Sequence, residues 1–139
     1  MSKTTIPSGY RMPLSNNELQ RAIELIHQEF QHSLCVRLNL HRVSAPLFVD
    51  GRTGLNDDLN GVERPVSFDI NGVKETAQVV HSLAKWKRMA LKRYDFQPGE
   101  GLYTDMNAIR RDEELDNLHS VYVDQWDWEK VIREEDRNE

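Results

Sequence analysis

Apolar residues recur at helical spacing in two parts of the chain. Residues 15–18 read Ser-Asn-Asn-Glu, the form of a helix capping box, and they follow residues 1–14, for which we expect a loosely held arm. An apolar stripe then predicts a helix that runs to about Ser33: Leu19, Ala22, Ile23, Ile26 and Phe30. Ser82 can cap a second helix over residues 83–94, whose apolar side chains lie on or near one face.

Alternation of apolar and polar residues marks strands in much of the remaining chain. It predicts strands over residues 35–43, 65–70, 73–80, 102–110 and 118–131. The pair Asn71-Gly72 favours a tight hairpin turn between the second and third of these runs, whereas residues 51–61 form a turn-rich loop. Strands joined by hairpins and short helices indicate an α+β fold, in which a mainly antiparallel sheet is flanked by helices within a single domain over residues 1–139.

Composition and charge narrow the class of protein. The 139 residues are 38% hydrophobic and 29% charged, and a net charge of −5 argues against a nucleic-acid or anionic-membrane partner, since either would select a basic surface. No run of about 18 apolar residues is present, so we expect no membrane span. Residues 1–10 lack the apolar core of a secretory signal, and Cys35 has no second cysteine with which to pair. We therefore expect a cytoplasmic protein.

The most informative run for function is residues 121–129. Side chains alternate along a strand, which assigns the following residues to two faces: Gln125, Asp127 and Glu129 to one, and Asp124, Trp126 and Trp128 to the other. Buried carboxylates are costly unless they meet cations, hydrogen-bond donors or a metal. Two interpretations stay open: an edge strand whose polar face meets water, or the floor of a pocket that holds an amino group, a ribose or Mg²⁺.

A basic cluster lies on the second predicted helix at residues 85–88, and Lys92 and Arg93 follow it. A solvated helix face is one interpretation. Lys85 and Lys87 do not share a helical face, however, so one of them could turn inward towards an anionic ligand.

Arg110 stands at the end of a predicted strand and leads into a charged loop over residues 111–117. Its planar guanidinium could clamp a phosphate or a carboxylate, or the segment could be only a solvated loop. The five histidines and Cys35 show no metal-ligand spacing. The sequence also lacks the G-x-x-x-x-G-K-[ST] phosphate loop and the G-x-S-x-G nucleophile elbow.

Four segments, in order along the chain, resemble the ammonia-dependent asparagine synthetase family, also called the aspartate–ammonia ligases. They are residues 54–63 (GLNDDLNGVE), 79–88 (VVHSLAKWKR), 99–104 (GEGLYT) and 118–129 (LHSVYVDQWDWE). The resemblance covers the chain from about Tyr10 onward. This family in turn resembles the catalytic domain of class II aspartyl-tRNA synthetases, and residues 109–115 with 125–129 look like the second motif of that class, with one residue inserted at Arg111.

The resemblance implies a two-step reaction. ATP and Mg²⁺ convert aspartate to β-aspartyl-adenylate and pyrophosphate, and ammonia then displaces AMP to give asparagine. The site must hold aspartate rigidly and neutralise the charge that builds up as its carboxylate attacks the α-phosphate. Ammonia is itself the nucleophile, which agrees with the missing Ser, Cys and His nucleophile motifs.

The resemblance also implies which residues hold the amino acid. Asp57 would be the counter-charge for the α-amino group of aspartate. Lys87, a catalytic candidate, would hold the α-carboxylate with Ser82 nearby, and Gln125 would hydrogen-bond the substrate. This assignment selects Lys87 rather than Lys85 as the inward lysine.

The implied nucleotide site centres on the second catalytic candidate, Arg110, which would bridge the reacting carboxylate and the α-phosphate. Asp127 would lie beside Gln125, near the ribose or the substrate. Weaker candidates for the adenylate pocket are His81, Leu118 and Ser120.

One departure from the family concerns length. Family members run to more than twice this length, and their later part supplies further ligands and a glycine-rich third motif. We therefore expect these residues to be the N-terminal portion of such an enzyme, truncated before the third motif and weakly active or inactive alone. We expect a homodimer, since class II catalytic domains usually pair through the first helix and the adjoining strand. The alternative is a non-catalytic, synthetase-like protein that binds asparagine or an adenylate.

Overall fold

A computed structural model describes residues 3–57 and 59–137. The helices and strands follow in this order: α1 Asn16–Leu38, β1 Leu40–Arg42, β2 Phe48–Asp50, β3 Ser67–Phe68, β4 Ala77–Val79, α2 Ala84–Arg93, β5 Gly101–Ile109 and β6 Tyr122–Lys130. Single turns of 3₁₀ helix cover Gly51–Thr53 and Glu134–Asp136. The prediction of an α+β fold with mostly antiparallel strands is confirmed. Parts of the predicted arm and of the turn-rich loop lie outside the described residues, as do the last residues of the chain: residues 1–2, Asp58 and residues 138–139.

Helix α1 begins where the capping box predicted. The Ser15 N–H donates to Glu18 Oε2 at 2.8 Å and the Glu18 N–H donates to Ser15 Oγ at 3.3 Å, which satisfies two amides that the first turn leaves free. The helix ends at Leu38 because Asn39 adopts a left-handed φ of 54° and its N–H bonds to the Cys35 carbonyl. The prediction of a strand from residue 35 is therefore wrong over residues 35–38, since a short alternating run fits either structure.

The first sheet has the order β1-β5-β6 within the described part of the chain. Strand β5 is central: it pairs in parallel with β1 and antiparallel with the whole of β6. Strand β6 begins at Tyr122 and not at Leu118, because the Asp116 carboxylate accepts the N–H groups of Leu118 and His119 at 2.7 and 2.8 Å and holds them in a turn.

The two helices cover opposite faces of this sheet, as predicted for its flanks. On one face the Trp126 ring stacks on Phe30 of α1, with ring centroids 5.0 Å apart, and the Gln31 amide donates to Asp105 at 3.0 Å. On the other face Lys87 of α2 reaches Asp127 of β6. The buried core lies between α2 and β5 and includes Leu83, Trp86, Ala90, Leu91, Leu102, Met106 and Ala108.

The second sheet has the order β2-β4-β3, with both pairings antiparallel. The predicted hairpin is confirmed, but its strands are shorter and pair at Ser67↔Gln78 and Phe68↔Ala77. At its tip the Val73 N–H donates to the Ile70 carbonyl at 3.0 Å, and Gly72 supplies the left-handed φ of 79°.

The described part of the predicted arm, residues 3–14, has no helix or strand, but its first residues contact the rest of the chain. The Lys3 N–H donates to the Leu115 carbonyl at 2.9 Å. Thr5 exchanges two hydrogen bonds with the Asn117 side chain, at 2.7 and 2.8 Å. This part of the arm therefore lies on the loop that follows Arg110.

Gly101 offers a direct test of the packing between the three strands of the first sheet. A Cβ at this position would lie 2.6 Å from both the Glu129 carbonyl oxygen and Leu40 Cδ2, and 3.0 Å from Lys130 Cα. We expect Gly101→Ala to lower the free energy of unfolding, measured in urea, by about 2 to 3 kcal/mol. Gly72→Ala is the control, because a Cβ at this position meets no atom within 4 Å. Its free energy of unfolding should fall by about 1 kcal/mol, from backbone strain at a positive φ alone. An equal loss in both variants would contradict the packing argument.

Candidate active site

A cleft of about 480 Å³ opens between the loop that follows β2 and the loop that follows β5. It is lined by Asp57, Leu59, Asn60, Glu63, His81, Arg110, Asp112 and Glu113. Three of these residues, Asp57, His81 and Arg110, are site residues that separate motifs of the sequence predicted. The fold therefore brings together side chains that lie up to 53 positions apart in the chain.

The Asp57 side of the cleft is held to strand β4 by Asn56. The Asn56 side chain donates to the Val79 carbonyl at 3.3 Å and accepts the His81 N–H at 2.8 Å. Asp57 itself lies 3.6 Å from the Nζ of Lys85, whose side chain is half exposed. Lys85 thus faces the carboxylate that was predicted to hold an amino group.

His81 lies just beyond the end of β4 and is almost completely buried, with 1% of its surface exposed. Its Nε2 is buried and has no hydrogen-bond partner among the described residues. A buried polar atom without a partner is costly, so an Nε2 in a cleft wall is suited to bind a polar group of a ligand.

Lys87 turns inward from α2, as predicted, because the apolar face of the helix that holds Trp86 and Ala90 packs on the sheet. Its side chain is 5% exposed, and Nζ bonds to Asp127 Oδ1 and to the Trp128 carbonyl oxygen at 2.9 Å. Glu129 Oε2 lies 3.7 Å from the same Nζ. The ammonium is thus compensated by two carboxylates of β6, as a buried charge requires.

Ser82 and Gln125 each lie a few positions before one member of this ion pair, Ser82 before Lys87 and Gln125 before Asp127. The Ser82 Oγ accepts the Ala84 N–H at 3.2 Å, but the N-cap of α2 is Leu83, which has no side-chain cap bond. The predicted cap is therefore displaced by one residue. Gln125 follows the alternation of β6, is exposed, and has its amide nitrogen 3.7 Å from Met106 Sδ.

Arg110 stands at the junction of two clefts. Its backbone N–H donates to the Val121 carbonyl at 2.8 Å, which fixes the end of the hairpin. The guanidinium Nε is buried without a hydrogen-bond partner among the described residues, and the nearest carboxylate in an ion pair with it is that of Glu113, at 4.0 Å. The second cleft, of about 290 Å³, is lined by Arg110, Glu113, Leu118, His119, Ser120, Tyr122, Val123 and Asp124. Leu118 and Ser120, the predicted adenylate-pocket residues, therefore lie in a cleft that shares Arg110 with the first.

The sequence of the chain is similar to that of known proteins over most of its length. A sequence model of the family described as aspartate-ammonia ligase matches residues 17–139. The chain belongs to the aspartate–ammonia ligase family. This confirms the family that the four sequence segments indicated.

Individual aspartate–ammonia ligases are similar to almost the whole chain. The ligase of Clostridium perfringens strain ATCC 13124 is 64% identical over 139 residues, which are 99% of this chain and 41% of that protein. The ligase of Ruminiclostridium cellulolyticum is 62% identical over 140 residues, covering 100% of this chain and 42% of that protein. The ligase of Lactobacillus johnsonii is 59% identical over 134 residues, which are 96% of this chain and 40% of that protein. The chain thus spans about two fifths of the length of the curated relatives it matches.

Four residues of the site carried no role in the sequence-based interpretation of this ligase-family chain. Glu129 lies on the strand face that the alternation predicted, but its position beside Lys87 depends on how α2 packs along β6. Asn56 sits next to Asp57 in the turn-rich loop, where an Asn is usual for turn geometry alone. Arg64 and Asp112 form an ion pair between the two loops that border the first cleft. The hydrogen bonds from Arg64 hold the pKa of the Asp112 carboxyl far below its usual range, so this carboxylate stays charged well into acid.

The acidic residues of the first cleft can be judged against the requirements of a Mg²⁺ site. Within residues 3–57 and 59–137, no group of three or more His, Cys, Asp or Glu side chains is arranged to hold a metal ion. Asp57, Glu63 and Asp112 each already face a partner: Lys85, Asn60 and Arg64, respectively. Mg²⁺ that accompanies ATP is held largely by phosphate oxygens and water. We therefore assign no metal ligand to this chain and no chemical step to the metal.

No helix among the described residues is both long and apolar enough to cross a bilayer. The longer helix, α1, has 23 residues but carries charged side chains throughout, among them Glu18, Arg21, Glu24, Glu29 and Arg37.

Proposed function

We propose that this chain is the substrate-binding part of an enzyme that forms L-asparagine from L-aspartate and ammonia, with cleavage of ATP to AMP and pyrophosphate. The observation that carries the proposal is the position of Arg110, whose guanidinium borders both clefts and has no tight partner of its own. An arginine fork of this kind suits a group that must contact a carboxylate on one side and a phosphate on the other.

Aspartate occupies the first cleft in this proposal and extends towards Lys87 and Gln125, which do not themselves line that cleft. The Asp57 carboxylate faces the α-amino group of aspartate, which displaces Lys85 as the cation nearest to Asp57. Lys87 holds the α-carboxylate: an ammonium has three donors, and hydrogen bonds to Asp127 and the Trp128 carbonyl use two of them. The third remains for the substrate. Gln125, two positions before Asp127 on the same strand face, supplies a further hydrogen bond, and Ser82 lies near the entrance to α2.

The nucleotide occupies the second cleft, beside Leu118 and Ser120, with the α-phosphate at Arg110. His81 Nε2 binds a polar group of the adenylate from the first cleft, and Asp127 lies near the ribose or the substrate. We assign the fold to the class II synthetase catalytic domains, as the sequence resemblance implies. Residues 1–139 are part of one such domain, with residues 1–14 as its arm.

The reaction then proceeds in two displacements. An oxygen of the aspartate β-carboxylate attacks the α-phosphorus, the bond to the β-phosphate breaks, and pyrophosphate leaves. Ammonia attacks the acyl carbon of the adenylate, loses a proton, and the bond to AMP breaks. Arg110 is positioned to neutralise charge on the transferring carboxylate and the phosphate in both steps, so no nucleophile from the protein is required.

A chimera tests this function. This chain replaces the matching 41% of the Clostridium perfringens ligase, and pyrophosphate and asparagine are measured with aspartate, ATP, Mg²⁺ and ammonium. We expect one pyrophosphate for each asparagine, and little or no product from the 139 residues alone. A chimera that binds asparagine or AMP by calorimetry but does not consume ATP would instead favour a non-catalytic, ligand-binding protein. Activity in a soluble extract without membranes would agree with the cytoplasmic location we propose.

We also propose a homodimer formed through α1. The predicted apolar stripe is only partly covered: Leu19 and Ala22 are partly buried, whereas Ile26 is 56% exposed and Phe30, which stacks on Trp126, is still 50% exposed. Ile26→Glu is expected to convert a dimer to a monomer in light scattering, because it places a charge on the exposed part of the stripe. Gln28→Glu, on the far side of the helix, is the matched control. A monomeric unsubstituted protein, or a dimer that survives Ile26→Glu, would contradict this interface.

A further inference from the structure

An ion pair between Arg64 and Asp112 joins the two loops that form the walls of the first cleft. Asp112 accepts the backbone N–H of Arg64 at 2.8 Å and the Arg64 Nε at 3.0 Å, and a third bond joins Nη2 to the other carboxylate oxygen. Three donors of one residue thus converge on one carboxylate that lies 48 positions away in the chain. A two-pronged guanidinium–carboxylate pair with an added amide has a defined geometry, unlike a single contact between exposed charges.

Each partner of this pair belongs to a different wall. Arg64 follows a compact turn in which the Asn60 N–H and side-chain amide donate to Glu63 at 3.0 and 2.9 Å. Asn60 and Glu63 line the cleft. Asp112 also lines it and comes two residues after Arg110. The pair therefore fixes the distance between the turn and the segment that begins at Arg110.

Arg110 has few bonds of its own that would fix its direction. Its Nε is without a partner among the described residues, and its ion-pair contact with Glu113 is 4.0 Å long. The Glu113 N–H donates to the Arg110 carbonyl at 3.2 Å, so residues 110–113 form one turn. The Asp112 side chain ties this turn to the rest of the protein through Arg64. Movement of Asp112 would consequently move the turn from which Arg110 extends.

We propose that the Arg64–Asp112 pair is a latch: it holds the 60–64 turn against the 110–113 turn and keeps Arg110 directed into the cleft. Arg64 and Asp112 are positioning residues in this scheme, and the effect on catalysis rests on the function proposed above for Arg110. The low pKa of Asp112 supports the scheme, since the carboxylate stays ionised, and the latch closed, through the acid range in which an ordinary carboxyl group takes up a proton.

The first test is hydrogen exchange on the chain itself, which needs no activity. Arg64→Gln removes the charge but keeps the backbone donor, and we expect amides in residues 60–64 and 111–113 to exchange about tenfold faster. Arg52→Gln is the control: Arg52 is similarly exposed, at 70% against 68%, and its pairs with Asp50 and Glu75 lie away from the lining of the cleft. Equal protection in Arg64→Gln and the unsubstituted chain would overturn the latch.

The second test is kinetic and uses the chimera. Arg64→Gln is expected to lower kcat about tenfold and to change the KM for aspartate less than about threefold, because Arg110 acts on the transition state. Arg64→Lys keeps the charge but cannot make the two-pronged contact, so its kcat should lie between that of Arg64→Gln and that of the unsubstituted chimera. An unchanged kcat in Arg64→Gln, or a loss as large in Arg52→Gln, would overturn the positioning role. If the unsubstituted chimera makes no asparagine, the proposed function fails and the positioning role fails with it, whereas exchange still decides whether the latch exists.

Discussion

Replacing Lys87 by methionine in the chimera is expected to lower asparagine formation by about a hundredfold to a thousandfold. Methionine keeps much of the length and the apolar stem of lysine but removes the only ammonium that is enclosed between α2 and β6 in the described structure. The α-carboxylate of aspartate then meets Asp127 and Glu129 without a counter-charge, so both binding and the orientation for attack on ATP are lost. The measurement is asparagine formed per minute at several aspartate concentrations.

Lys85→Met is the matched control for this experiment. Lys85 lies on the same helix, and its Nζ is 3.6 Å from Asp57, but its side chain is half exposed and water can replace it. We expect a loss of less than about tenfold. Similar losses in both variants would show that the basic cluster acts as a general attraction for anions and that the inward lysine has no particular role. Calorimetric binding of AMP to Lys87→Met, through the cleft that contains Leu118 and Ser120, would show that the variant remains folded.

Short-range sequence patterns were sufficient to predict much of the fold. The capping box at Ser15 marked the start of α1 because both of its hydrogen bonds lie within four residues. Asn71-Gly72 marked the hairpin because a left-handed φ at Gly72 is a local requirement of the turn. The alternation over 122–130 likewise assigned Trp126 and Asp127 to opposite faces, which α1 and α2 then cover. Each of these features depends on neighbours in the chain, which a sequence displays directly.

The parts that sequence could not provide depend on distant contacts. The end of α1 was placed too early because Cys35 to Leu38 alternate like a strand, and only the left-handed Asn39 shows where the helix stops. The hydrogen-bond partners of Lys87 could not be predicted, because they depend on how α2 is positioned along β6. The Arg64–Asp112 pair joins two loops 48 positions apart, and no pattern in either loop indicates the other. The sequence resemblance named Lys87 and Arg110, but the surroundings of both came from the fold.

Asp127→Asn is expected to lower the free energy of unfolding of the chain by about 2 to 4 kcal/mol. The Lys87 side chain is 5% exposed and that of Asp127 is 19% exposed, so the substitution leaves a buried ammonium whose remaining carboxylate, Glu129, is 3.7 Å away. The Trp128 carbonyl still accepts one bond, which is why the expected loss is at the lower end for a broken buried pair. Urea unfolding followed by Trp fluorescence measures it.

Two further variants decide whether the loss belongs to the ion pair. Asp124→Asn, an exposed position on the opposite face of the same strand, should change stability by less than about 0.5 kcal/mol. The double variant Lys87→Met with Asp127→Asn removes both charges, so it should be more stable than the sum of the single losses predicts by about 1 to 3 kcal/mol. Additive losses would mean that Lys87 and Asp127 do not stabilise each other. A coupling of the expected size would mean that the lysine proposed to hold aspartate is kept charged in the core by the strand that forms the floor of the site, so that the same pair serves stability and substrate binding.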